Sequence, residues 1–234
     1  MSQVEWELFY KKFITQEGYQ VALDGLVATL EIAVLGLLIG IVIGTLIAVA
    51  KVVPKYHWFP RVLSWICDVY VAIFRGTPLV VQLLVGWFVL LPSLNLQMEA
   101  VMVAVIVFGM NSGAYIAEIM RSGIQSVDVG QLEAARAVGL SYGTSMMKVV
   151  IPQAIKNILP TLGNEFITLI KETSVVSFIA VVDITKAFRQ IGDSNYSYII
   201  PYLMLALVYL VLVGIIAFLV KIMERSLKKV DRHH

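Results

Sequence analysis

Four stretches of this sequence run for 18 residues or more without a charged side chain: Ile32–Ala50 (19 residues), Gly76–Met98 (23), Ala100–Ala117 (18) and Ser194–Val220 (27). The hydrocarbon core of a bilayer is about 30 Å thick, and roughly 20 apolar residues of α-helix cross it. Each run therefore reads as a membrane-spanning helix. Composition agrees: 59% of residues are hydrophobic and 15% charged, against roughly 45–50% and 25% in soluble domains. A fifth stretch, Asn157–Val182, is apolar in outline but carries Glu165, Lys171 and Glu172. The expectation is an all-α integral membrane protein. Its single transmembrane domain, residues 1–234, has five spans near 21–50, 76–97, 99–120, 155–182 and 196–222.

Several function classes fall away. Cys67 is the one cysteine and there are three histidines, so no cysteine-based zinc cluster or intramolecular disulfide can form. His233 and His234 are given no role. A formal charge of +2 is too small for a nucleic-acid footprint. The stretch before the first span carries Glu5, Glu7, Lys11, Lys12, Glu17 and Asp24 rather than a short basic lead, so it is expected to stay in the mature protein.

Basic residues are retained on the cytoplasmic side of a membrane. With the N-terminus outside, thirteen fall inside: Lys51, Lys55, Arg61, Arg75, Arg121, Arg136, Lys148, Lys156, Lys221, Arg225, Lys228, Lys229 and Arg232. Four fall outside: Lys11, Lys12, Lys186 and Arg189. The expected orientation is N-terminus outside and C-terminus inside, in the inner (cytoplasmic) membrane. The connection Lys51–Phe74, with Pro54, Pro60, Arg61 and Asp68, is too charged to cross and is expected along the inner interface, with Trp58 and Trp65 at headgroup depth. In the first span Gly36, Gly40 and Gly44 share one stripe. That stripe admits a close helix neighbour, or is tolerated facing lipid.

The inner connection, 122–152, is the longest polar stretch. Asp128 can cap a short helix over Gln131–Val138, with Gln131 in the reciprocal place of a capping box and Gly139 as the stop. Ser141 can start a second helix that ends or kinks at Pro152. The pair forms a helical hairpin, either simply solvated or docked into a partner.

Within that hairpin, Glu133-Ala134-Ala135, Gly139 and Val149-Val150-Ile151-Pro152 resemble the EAA loop of the membrane subunits of binding-protein-dependent ABC importers. There the pattern is Glu-Ala-Ala, three residues, Gly, nine residues, Ile-x-Leu-Pro. Val149 and Ile151 depart mildly in shape, and Asp128-Val129-Gly130 stands where the family often has Pro-Lys-Gly. Arg75-Gly76-Thr77-Pro78 followed by Gln82, and Tyr115-x-Ala117-Glu118-x-x-Arg121 leading into Gly123-Ile124-Gln125-Ser126, look like the polar amino-acid branch.

The resemblance implies a type I ABC importer-like fold and a permease for polar amino acids. It implies two such subunits around the path, an identical copy being the default, with ABC ATPases on the EAA loops and an extracytoplasmic amino-acid-binding protein. Glu133, Ala134, Ala135, Gly139, Ile151 and Pro152 would carry the coupling. The sequence has no Gly-x-x-x-x-Gly-Lys-Ser/Thr loop. Mg-ATP therefore belongs to the partner ATPases; this chain is expected to be no enzyme and to bind no cofactor.

Ionisable residues in a span cost roughly 2.5–3.5 kcal/mol unless paired or wet. Glu165 and Glu172, seven apart, lie within about 20° on one face with Thr168 nearby. Glu165 follows Pro160 and Gly163, residues able to interrupt a helix. It is the first candidate for a substrate's cationic group; the other reading is a partner within the protein. Lys171 has no acid at three or four residues' spacing, so its partner must come from elsewhere. Asn111, Ser112, Tyr115 and Gln82 are further candidates, either ligand contacts or helix-to-helix hydrogen bonds. Glu118 and Arg121 are expected to pair. Two other function classes remain: a membrane scaffold or sensor that keeps the docking loop, and an ATP-independent carrier.

Overall fold

The computed structural model describes residues 3–52, 57–194 and 196–230, and every element among them is helical. Pro54, Lys55, Arg232, His233 and His234 lie outside the described residues. The chain opens with α1 (Gln3–Tyr10), a π-helical turn (Lys11–Thr15) and α2 (Gly18–Val52). Then come α3 (Trp58–Gly76), α4 (Leu79–Val85), a second π turn (Gly86–Leu90) and α5 (Leu91–Ser93). The long α6 (Ala100–Gln125) leads into α7 (Val129–Ala137) and α8 (Tyr142–Ser145). A π turn (Met146–Val150) joins α8 to α9 (Ile151–Glu172), which tightens into a 3-10 stretch (Thr173–Ile179); α10 (Ile184–Asp193) and α11 (Ile199–Val230) close the fold.

Helices inside lipid gain nothing by hiding apolar surface from one another, so close packing has to hold them. The α2 glycines supply it. A Cβ at Gly40 would lie 2.8 Å from the Ser112 Cβ, and one at Gly44 2.6 Å from the Ile116 side chain, so α2 and α6 meet backbone to backbone. The stripe of three glycines is thus a helix contact and not a lipid-facing accident. Beside it Ile32, Leu83, Phe108, Leu169 and Ile170 form the main core, all fully buried.

A second cluster closes the end of the bundle where α1, the start of α2, α10 and the start of α11 meet: Phe9, Ala22, Ile184, Phe188 and Ile200. Asp183 starts α10 there by accepting from the backbone N–H groups of Thr185 and Lys186. The α7–α8 hairpin lies at the opposite end, beyond the C-terminus of α6.

Among the described residues three helices are long and apolar enough to cross a membrane alone: Gly18–Lys51, Ala100–Gln125 and Ile199–Leu227. A fourth crossing exists if α3 is taken with Leu79–Ser93, from which it is bent by 105°. Three or four of the five expected spans are apolar enough by themselves; α9, with Asn157, Asn164, Glu165, Lys171 and Glu172, is not, and the second span is broken. The helix expected over 76–97 begins at Leu79, ends at Ser93 and is preceded by α3, which occupies most of the connection read as interfacial. Trp58 and Trp65 are exposed on α3, while Ser64, Cys67 and Val71 are buried against α2 and α6.

Candidate functional site

The hairpin starts where the sequence indicates. The Asp128 carboxylate accepts from Gly130 N–H at 2.7 Å, Gly139 stops α7 at φ +90°, and Ser141 caps α8 by accepting from Thr144 N–H. Two expectations are corrected. The capping box does not close, because Gln131 Oε1 instead accepts from Gln153 Nε2, tying α7 to α9; α7 itself starts earlier, at Val129. Pro152 neither ends nor interrupts the second helix. It sits in the first turn of α9, where its missing N–H is tolerated, and helix continues from Tyr142 to Glu172. Glu133 is exposed and Ala135 buried, so α7 presents one face outward and anchors the other.

At mid-height the polar residues divide into two groups. The first joins α6 to α9: Ser112 Oγ donates to Glu165 Oε1 at 3.0 Å, and Ser112 is fully buried. Thr168 turns back on its own helix, its hydroxyl donating to the Asn164 carbonyl. The second group surrounds the break between α3 and α4. Gln82 Nε2 donates to the carbonyls of Phe74 and Thr77 at 2.8 and 3.0 Å, and its Oε1 accepts from Asn111 Nδ2 at 3.0 Å. Gln82 thus serves backbone carbonyls that the break leaves without helical partners, and Asn111 holds it in place.

Beside that break opens a cleft of about 530 Å³, lined among others by Arg75, Gly76, Pro78, Asn111, Tyr115 and Glu172. Asn111 and Tyr115 share it, as one helical turn of separation requires. Ser112, Gln82, Glu165 and Thr168 do not line it. Glu172, ranked below Glu165 from the sequence, is the carboxylate that does. Arg75 stands 5.4 Å from the Tyr115 ring centroid. The sequence marks Arg75 only as an inner basic residue and as part of a family motif; the fold places it and Glu172 on one cleft.

Below the cleft Glu118 gathers cations from three helices: Arg121 Nη2 at 2.7 Å, Lys51 Nζ at 3.6 Å and Arg75 Nη1 at 4.0 Å. Lys51 also binds Asp68 at 2.7 Å. The expected Glu118–Arg121 pair is present, within a larger cluster. Lys171 is exposed and, among the described residues, makes no ion pair with another helix. It ends a stripe on α9 formed by Asn157, Thr161, Asn164 and Thr168, at steps of four, three, four and three residues. Thr168 is half-buried and the other four are exposed.

Residues 36–229 match the family described as the binding-protein-dependent transport system inner membrane component. The chain is 41% identical to the arginine transport system permease protein ArtQ of Bacillus subtilis (strain 168), over 89% of this chain and 93% of that protein. It is 38% identical to the putative glutamine transport system permease protein GlnP of Rickettsia prowazekii (strain Madrid E), over 88% and 92%. A crystal structure of an amino acid ABC transporter with histidines superposes with a TM-score of 0.83 at 38% identity, covering 92% of this chain and 98% of that one. An inward-facing MetNI methionine ABC transporter shares the fold at 19% identity, with a TM-score of 0.74.

Proposed function

The chain belongs to the family of inner membrane components of binding-protein-dependent transport systems, and we propose that it is the membrane-spanning subunit of an ATP-driven importer for polar amino acids. The exposed polar stripe of α9 carries the reading. Asn157, Thr161, Asn164, Thr168 and Lys171 fall along one side of a helix inside the membrane domain, and such residues face a water-filled path or a protein neighbour rather than hydrocarbon. Two copies placed with these stripes toward each other enclose a polar passage; an identical pair is the simplest closed arrangement.

The hairpin supplies the coupling. Glu133, Ala134 and Ala135 on α7, the turn at Gly139, and Ile151 and Pro152 at the base of α9 form the contact for an ABC ATPase, which binds Mg-ATP. Closure of two ATPases draws the hairpins together and opens the passage to an extracytoplasmic amino-acid-binding protein. The N-terminus lies outside and the C-terminus inside the cytoplasmic membrane, where lipid covers the apolar faces of α2 and α11. Glu165, held by Ser112, helps to shape the passage.

The test is reconstitution of the chain with its ATPase and binding protein in proteoliposomes. ATP-dependent accumulation of labelled amino acids is expected. Hydrolysis without accumulation would favour a sensor or scaffold; accumulation by the chain alone would favour a carrier.

A further inference from the structure

We propose that an apolar groove between α2, the end of α6 and the base of α9 holds one acyl chain of a phospholipid from the leaflet at the hairpin end of the bundle. Membrane placement comes from the family, and the transport reading above only names that leaflet as the inner one.

The groove has a volume of about 500 Å³, within the usual range for a small-molecule site. Its floor is buried, with Ala48, Ala154 and Ile158, and its rim exposed, with Val49, Met147 and Ile155. Among the described residues no charged side chain lines it. Small residues leave the space: besides the two alanines, Gly143 lines the groove, and a Cβ there would meet nothing within 4 Å. Met120, Met146 and Met147 bring flexible thioethers that adapt to a mobile chain.

The surfaces around the groove identify its occupant. Leu38, Val42, Leu46 and Val49 are exposed on α2 within about 80° of one another, in a run free of charge until Lys51. Such a face meets acyl chains, and its last member, Val49, is a lip of the groove. A chain lying along α2 therefore enters the groove without leaving hydrocarbon. Ile151, Ile155 and Ile158 lie roughly 100–160° around α9 from the centre of the Asn157–Lys171 polar stripe, so the groove opens away from the side given to a second copy. Toward the hairpin the lining passes to Tyr142, whose polar tip suits headgroup depth. Ile151 and Ile155 begin the helix that continues from the hairpin, so a chain seated there bears on the element assigned to coupling.

The experiment reconstitutes the permease–ATPase complex in vesicles of phosphatidylethanolamine and phosphatidylglycerol, with a trace of phosphatidylglycerol carrying a diazirine in its acyl chain. Irradiation and peptide mass spectrometry then locate the adducts. Val49, Met147 and Ile155 are expected to be labelled severalfold more than Leu210 and Phe218, exposed residues of α11 that do not line the groove. Gly143→Phe fills the space and should cut the groove adducts severalfold while the α11 adducts stay at the wild-type level; Gly143→Ala should cut them less. If Gly143→Phe does not assemble, Met147→Trp, a change on the exposed rim, must give the same fall. The proposal is overturned if groove adducts do not exceed those on α11, which is what annular lipid alone gives, or if they survive unchanged in the assembled groove-filling variant. ATP-driven uptake, read on the same vesicles with binding protein, separates the two failures: uptake without groove adducts sinks the lipid site alone, whereas groove adducts without uptake sink the transport reading alone.

Discussion

Alanine at Gly40 tests the α2–α6 contact directly. The added Cβ would lie 2.8 Å from both Cβ and Oγ of Ser112 and 3.1 Å from the Gly113 nitrogen. Carbon atoms pack best at about 3.5–4.0 Å, so the helices must part by roughly 0.7 Å or more. Neither Cβ can rotate away, because each is fixed by its own helix. Overpacking of this kind costs about 1–3 kcal/mol, offset by about 1 kcal/mol of improved helix propensity. Gly214→Ala in α11 supplies the same propensity gain with nothing within 4 Å of the new atom, so the difference between the two variants isolates the clash. At roughly 2–4 °C per kcal/mol for a chain of this size, Gly40→Ala should melt about 2–12 °C below Gly214→Ala in detergent. Removing the opposing Cβ as well, in Gly40→Ala/Ser112→Gly, should recover most of that gap relative to Ser112→Gly alone. Coincident melting midpoints for the two alanine variants, or no recovery in the double variant, would refute backbone-to-backbone packing.

Gly139→Val places a β-branched residue at φ +90°, which costs about 1–2 kcal/mol or more; ATP hydrolysis by the complex should persist while amino-acid uptake falls severalfold. Ser112→Ala removes the donor to Glu165 and is expected to change uptake selectivity among basic and neutral amino acids with a small loss of thermal stability. Asp128→Ala should cost about 1 kcal/mol through the lost cap, read as faster hydrogen exchange confined to α7. A cysteine at the exposed Ser126 should react with an impermeant thiol reagent from the cytoplasmic side only, with low background because Cys67 is buried; labelling from outside overturns the orientation.

The parts legible in the sequence are those set by spacing along one element. Three glycines four apart admitted a close helix neighbour without deciding it against lipid, Asp128 and Ser141 marked helix starts, and Gly139 marked a stop. What stayed hidden was decided across elements. Arg61 and Asp68 kept the α3 region out of the count of spans, and the sequence did not show that Lys51 from α2 pairs with Asp68 at 2.7 Å or that α3 buries Cys67 and Val71 against its neighbours. Gln131 had the right offset for a capping box, but Gln153, 22 residues away, offered a competing partner. Glu165 and Glu172 were correctly placed on one side of a helix. Seven residues of rise, about 10 Å, separate a carboxylate bound to Ser112 from one that lines the cleft, and periodicity alone does not say which neighbour each height meets.

The uninterrupted run from Tyr142 through the π turn to Glu172 makes the α7–α8 hairpin and the cleft at the α3–α4 break two ends of one rod. Those 31 residues extend about 45 Å. If the rod pivots near its lower third, a tilt of about 10° swings its far tip roughly 5 Å sideways, enough to move Glu172 within the cleft it lines. On the proposed transport reading, a partner that grips the hairpin can thereby reshape the cleft from a distance.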